Sequence, residues 1–285
     1  MSPEPVWKVT ILGCGSSGGV PRPDGDWGAC DPGNPKNRRR RCSILVEYAD
    51  TDAQFDTGER TRIVVDTSPD FREQMLSAGV KRLDGVIFTH DHADQTHGID
   101  DLRPYVLRAR KRMPVWMLPE TASSLTKRFK YIFTAREGSP YPAILDLTLV
   151  DAEHQDFHIP GPGGDMPVQM ARLEHGGIIA AGYRFGPFAY SPDVSGIPDA
   201  SFALVRNIPC WIVDALRETP HPTHASVSDA LDWLERSMAG KGILTNLHVD
   251  LDYAALSERL PEIVTPAYDG MTVDSRNINN DNNDI

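Results

Sequence analysis

The sequence predicts an α/β protein made of two β-rich halves, each dressed with helices. Two observations carry that expectation. Short β-branched and apolar runs alternate with helix-length runs along most of the chain. The 285 residues, 40% hydrophobic and 24% charged, are ordinary globular composition with enough apolar material for a sizeable core. No Ser/Gly-rich linker or charge block divides the chain, so a single domain over 1–274 is expected, and the Asn/Asp-rich end, 275–285, is expected to be a disordered tail.

The elements follow in order. Residues 6–12 alternate into a strand that ends in Gly13-Cys14-Gly15-Ser16-Ser17-Gly18-Gly19, and a Gly/Pro/Arg loop then continues to about Cys42. Loops of that length are functional or disordered. β-Branched content marks strands at 43–48 and 61–65, the second closed by Asp66. Ser68 or Asp70 caps a helix that runs to 78, and 85–88 is a short apolar strand leading straight into Thr89-His90. Helices follow at 102–111 and 120–131, with strands at 115–118, 145–150 and 168–173. The second half adds strands at 178–185, 188–190 and 210–213, a helix at 227–238 and a strand at 242–245.

Charge and cysteine usage narrow the function. Lys and Arg total 29 against 40 Asp and Glu, a net charge of −11 that disfavours general polyanion binding. Against that background Arg38, Arg39, Arg40 and Arg41 form a local basic run, either a solvated loop or a phosphate contact. No stretch approaches the roughly 18 apolar residues of a membrane span, and Met-Ser-Pro-Glu-Pro is no signal peptide, so a cytoplasmic protein is expected. Cys14, Cys30, Cys42 and Cys210 are scattered and should be buried reduced thiols.

Thr89-His90-Asp91-His92-Ala93-Asp94 sets two imidazoles and a carboxylate at alternate positions directly after an apolar strand. That is how nitrogen and oxygen ligands would be presented to a divalent metal at the rim of a sheet. Three further strand ends each offer one ligand: His175 in Leu-Glu-His-Gly, Asp193 in Tyr-Ser-Pro-Asp and His248 in Thr-Asn-Leu-His.

In this order the motifs resemble the metallo-β-lactamase superfamily, and within it the phosphoribosyl cyclic phosphodiesterase (PhnP-like) group that also handles 2′,3′-cyclic nucleotides. The opening Leu12 to Pro21 run, the Asn37 to Ser43 approach to the next strand and the closing Tyr268-Asp269-Gly270-Met271 share in the resemblance. It implies an αββα sandwich of two mixed β-sheets flanked by helices. It makes His90, His92 and His175 the first metal's ligands, Asp193 the bridging carboxylate, Asp94 a ligand of the second metal and Asp66 the supporting acid. The implied cofactor is Zn2+ or Mn2+, two per chain. Where the family has a histidine after the motif aspartate and a Thr-His later, this chain has Gln95 and Asn246, and in each case a histidine returns two residues on, as His97 and His248. A two-residue step keeps a side chain on the same side of an extended segment, so His248 is expected to replace the missing ligand. His97 is open between a ligand and a helix cap, and one tight metal with a weak second stays open too. The first long loop has no cysteine cluster, so no structural zinc is expected.

A divalent ion lowers the pKa of bound water toward about 7, which makes hydrolysis the simplest reaction class. No Walker loop or nicotinamide fingerprint competes, since the glycine run ends in Val20-Pro21 rather than opening a helix. The family places a histidine matching His224 beside the scissile phosphate, which implies that His224 protonates the leaving oxygen or holds the phosphate. Ser16, Arg39 and Arg40 are further substrate-binding candidates, with the choice within the arginine run open. His154 and His158 are expected at the surface, and His221, between Pro220 and Pro222, is open between a solvent-exposed loop histidine and a ligand contact. The expected activity is a phosphodiesterase that opens small cyclic phosphates or cyclic nucleotides by attack of metal-bound hydroxide, leaving a nucleoside or sugar monophosphate. The alternatives are a thioesterase, lactonase or RNA-processing nuclease on the same scaffold, or a non-catalytic metal- or nucleotide-binding protein. Expected partners are a small phosphodiester or nucleotide, with no membrane and no extended nucleic acid; a homodimer is left open.

Overall fold

Side chains alternate across a strand, so a strand buried on both faces feeds two separate cores. The computed structural model, which describes residues 4–151 and 154–278, is organised this way. Its first-half strands are β1 (Val6–Gly13), β2 (Ser43–Ala49), β3 (Thr61–Val65), β4 (Gly85–Ile87), β5 (Met113–Met117) and β6 (Leu145–Leu149). The second half supplies β7 (His154–Ile159), β8 (Met166–His175), β9 (Ile178–Phe185), β10 (Phe188–Ser191), β11 (Cys210–Asp214), β12 (Lys241–Thr245), β13 (Val264–Pro266) and β14 (Thr272–Asp274). The α-helices are α1 (Asp52–Thr57), α2 (Phe71–Ser77), α3 (Ala93–Thr96), α4 (Arg103–Ala109), α5 (Pro119–Arg128), α6 (Lys130–Phe133), α7 (Asp199–Phe202), α8 (Val227–Ser237) and α9 (Tyr253–Ser257).

Two seven-stranded sheets result, in the orders β14-β1-β2-β3-β4-β5-β6 and β13-β12-β11-β10-β9-β8-β7. Each is mixed: β1 to β3 pair antiparallel and β3 to β6 parallel, while β7 to β10 pair antiparallel and β10 to β13 parallel. The apolar residues sort into three main clusters. Ile44, Val46, Ile63 and Ile87 of the first sheet face Val168, Tyr183, Ile212 and Ile243 of the second. Leu45, Val64 and Val86 point the other way, onto Phe71, Leu102 and Leu125 of the helices. Trp211, Val213 and Leu244 likewise turn outward onto Val227, Ala230 and Leu234 of α8. Three cores between four layers make the αββα sandwich.

Several expected boundaries move for local reasons. The helix expected over 102–111 ends at Ala109, because Arg110 takes a left-handed φ of 52°. The helix expected over 120–131 is broken at Phe129, whose ψ of 37° separates α5 from α6. Short α1, α3, α7 and α9 and the edge strands β7, β13 and β14 carry too few apolar residues to register in the pattern. Of the expected tail, residues 275–278 form a turn in which Ser275 Oγ accepts from the Trp7 amide at 3.0 Å and Arg276 pairs with Asp274 and Asp56; the rest of that expectation, 279–285, lies outside the described residues. Among the described residues no helix is long and apolar enough to cross a membrane.

Candidate metal centre

Parallel neighbours end side by side, so residues just past their carboxyl ends converge. Val65 of β3 pairs with Ile87 of β4, which sets Asp66 next to Thr89 and His90. Asp66 sits at φ 64°, a left-handed conformation that Asp tolerates better than most residues. Its carboxylate accepts from the Thr89 amide and from Thr89 Oγ1, both at 2.8 Å, and Thr89 Oγ1 lies 3.0 Å from His90 Nδ1. Full burial lifts the Asp66 carboxyl to about 8 despite those two donors. Asp66 thus orients a histidine through a hydroxyl.

His175 closes β8, and its Nδ1 is fixed by the Thr223 carbonyl at 2.6 Å. That contact depends on Gly176, whose φ is +59° and where an added Cβ would stand 2.5 Å from Thr223 Cγ2. The rings of His90, His92 and His175 form a triangle with centroids 4.6, 4.9 and 5.0 Å apart. His90 Nε2 is buried without a hydrogen-bond partner. Burial holds His90 well below the ordinary imidazole value and His175 down to about 4, so both are neutral, the ligand form. An orphaned nitrogen inside a converging set of imidazoles fits a divalent ion. The donor sets among the described residues are His90, His92 and His175, and His175, Asp193 and His224.

The β10, β11 and β12 ends bring in Asp193, Asp214 and Asn246. Asp193 accepts from Gln95 Nε2 at 3.1 Å and from Asn246 Nδ2 at 3.4 Å, on different oxygens. Burial, then the charges of Asp94 and Asp214, push its carboxyl well above the ordinary range. Asp214, which sequence reasoning passed over, is fully buried; it accepts from the Val194 amide at 3.0 Å and lies 2.9 Å from His224 Nδ1. It comes directly after the strand expected over 210–213, as Asp66 does after that over 61–65, and that rule, applied once more, would have found it. Burial raises its carboxyl too, against the pull of His224.

Other expected residues fall elsewhere. His248 belongs to neither donor set: its Nε2 is 2.5 Å from Arg22 and its Nδ1 2.8 Å from Asp250, so it does not stand in for the missing ligand. His97 is exposed, caps α3 and packs edge-on against Phe129. Asp94 is half-buried beside Gln95 and outside both donor sets. Arg39 is buried, donating to the Leu251 and His248 carbonyls and to Asn37, which makes it a structural clamp rather than a substrate contact. Arg40 is tied to Asp269 at 2.9 Å and to Ser77, likewise in structure. Arg41 pairs with Asp70, and Arg38 is exposed over the Trp27 ring. Ser16 is buried, its amide bonded to the Leu247 carbonyl beside Asn246. His221, open between the surface and a ligand contact, is half-buried with its ring 5.2 Å from that of His224, whereas His158 is exposed.

An αββα sandwich whose strand-end loops gather three histidines, one with a buried nitrogen left unpartnered, has the form of a divalent-metal centre. The profile of the Beta-lactamase superfamily domain matches residues 61–246, and the chain belongs to that superfamily, in its PhnP-like group. The crystal structure described as a new diphosphatase from the PhnP family is 32% identical, with a TM-score of 0.81 over 94% of this chain and 97% of that one. An octanoyltransferase of Porphyromonas gingivalis is 30% identical over 93% of this chain, which spans only 51% of that protein's length. Human tRNase Z, short form, shares the fold at 16% identity and a TM-score of 0.61.

Proposed function

We propose that the protein is a phosphodiesterase that opens small cyclic phosphates or cyclic nucleotides to monophosphates. The observation that carries this is His224: Asp214 Oδ2 lies 2.9 Å from its Nδ1, its ring stands 4.8 Å from that of His175, and it forms a donor set with His175 and Asp193. His90, His92 and His175, with Asp193 adjoining, would hold Zn2+ or Mn2+, which when bound supplies Lewis acidity toward water and phosphate. Hydrolysis forms one P–O bond from water and breaks the ester P–O bond, and the departing alkoxide needs a proton. His224 Nε2 delivers it, and Asp214 steadies the imidazolium beforehand. Asp66, through Thr89, fixes the His90 ring.

A second reading is diphosphate hydrolysis, favoured by the 32% identical relative described as a diphosphatase. A phosphate leaving group needs far less proton assistance than an alkoxide. Purified protein supplied with Zn2+ or Mn2+ should therefore turn over 2′,3′-cyclic AMP and bis-p-nitrophenyl phosphate but not thioesters or lactones, and His224→Ala should depress cyclic-phosphate turnover on the order of 10²-fold or more. Turnover of diphosphates alone, insensitive to His224→Ala, replaces the first reading with the second, and turnover of neither sinks both.

A further inference from the structure

The two halves of the expected dinuclear centre differ in one respect. The three-histidine pocket contains a buried imidazole nitrogen without a partner, whereas in the neighbouring corner the carboxylates of Asp193 and Asp214 are taken up by carboxamide hydrogen bonds. There the carboxamides of Gln95 and Asn246, standing where the family resemblance puts histidines, donate to opposite oxygens of Asp193 at 3.1 and 3.4 Å. Asn246 Nδ2 also reaches Asp214 Oδ1 at 3.1 Å, and Asp214 Oδ2 is occupied by the Val194 amide and His224. An N–H dipole does for a buried carboxylate part of what a cation does.

We infer that this chain carries one metal ion, in the His90, His92 and His175 pocket, and that Gln95 and Asn246 form an amide clamp on Asp193 in place of a second. The two histidines that return in the sequence cannot re-enter that corner without dismantling something else. His248 has its Nε2 held 2.5 Å from Arg22, and a guanidinium is an unfavourable neighbour for a cation. Its backbone is pinned too: the His248 amide donates to the Leu216 carbonyl and the Leu247 amide to that of Cys14, at 3.0 and 2.8 Å. His97 is exposed and turned onto Phe129. The donors left at the corner are His224, which forms the second donor set with His175 and Asp193 but has its Nδ1 held by Asp214, and Gln95 Oε1, buried and without a partner.

The inference concerns metal number, so it stands apart from the phosphodiesterase reading and is tested without substrate. Metal-free protein is titrated with Mn2+ and separately with Zn2+, and the metal retained per chain after gel filtration is measured, with the electron paramagnetic resonance spectrum of the Mn2+ form. The expected result is one equivalent, a magnetically isolated Mn2+ signal, and loss of that equivalent in His90→Ala. The Gln95→His/Asn246→His double variant should take up a second equivalent and show an exchange-coupled spectrum. Two equivalents or a coupled signal in the unaltered chain overturns the inference, as does one equivalent that survives His90→Ala. Should the double variant fail to fold, the stoichiometry of the unaltered chain decides by itself.

Discussion

The Nδ1 of His224 lies 2.9 Å from Oδ2 of Asp214, a carboxylate sealed from solvent at the end of β11. A buried carboxylate at that distance fixes the ring's orientation and tautomer. Asp214→Asn keeps the shape and removes the charge. It should lower kcat on the order of 10²-fold or more with KM and bound metal little changed. Steady-state kinetics on 2′,3′-cyclic AMP, whose leaving group is an alkoxide, with metal analysis on the same sample checks this; loss of metal along with activity would instead mark Asp214 as part of the ligand framework.

The Asp66, Thr89, His90 relay reaches the metal pocket through one hydroxyl. Thr89→Val is nearly isosteric and deletes that hydroxyl while sparing the Thr89 amide contact to Asp66. Groups that orient a ligand from behind typically account for 10–100-fold in metal affinity. Metal affinity measured by competition with a chromophoric chelator should fall by about that factor, with the far-ultraviolet circular dichroism unchanged. An unaltered affinity would reduce Thr89 to a packing residue.

Which parts were legible follows from the same geometry. Strands such as 61–65 and 210–213 announce themselves because their β-branched and apolar residues serve a core on each face. Asp66, His90, His175 and Asp193 were legible because each stands at a strand's carboxyl end or within three residues of it. The expectation for His248 rested on side chains two apart sharing a side, which holds only in extended chain. Asn246, at φ 62°, is left-handed, so the parity breaks and His248 turns toward Arg22. The arginine run misled for a different reason: a guanidinium that looks solvated in sequence becomes a clamp when carbonyls from a distant segment, here His248 and Leu251, close over it.

Arg39 accordingly yields a stability prediction. Its guanidinium, on a residue only 2% exposed, satisfies two buried carbonyls and the Asn37 side chain. Arg39→Ala leaves those acceptors unpaired, which costs on the order of 1–3 kcal/mol per group at most and less where water enters. Urea denaturation should show a midpoint shifted downward, while KM in the folded protein stays near that of the unaltered chain. A raised KM with an unchanged midpoint would return Arg39 to the substrate.

The four cysteines supply a pH prediction. Cys14, Cys30, Cys42 and Cys210 are all buried and unbridged, and burial pushes each thiol up, Cys210 to about 12 from an ordinary value of 9.0. Near pH 8 the Cys210 thiolate fraction is then about 10⁻⁴, so Ellman's reagent should react slowly with the native protein and quickly with four thiols in guanidinium. The linkage has a definite sign. A thiol with a raised native value holds its proton where the unfolded chain has lost it, so its stabilising effect is complete below about pH 9 and is lost as pH climbs toward 12. The limiting slope is about 1.4 kcal/mol per pH unit for each such thiol. Urea midpoints between pH 8 and 11 should therefore fall, and Cys210→Ala, less stable at pH 8, should fall less steeply. Equal slopes in the two proteins would mean that Cys210 ionises as readily in the native state as in the unfolded one.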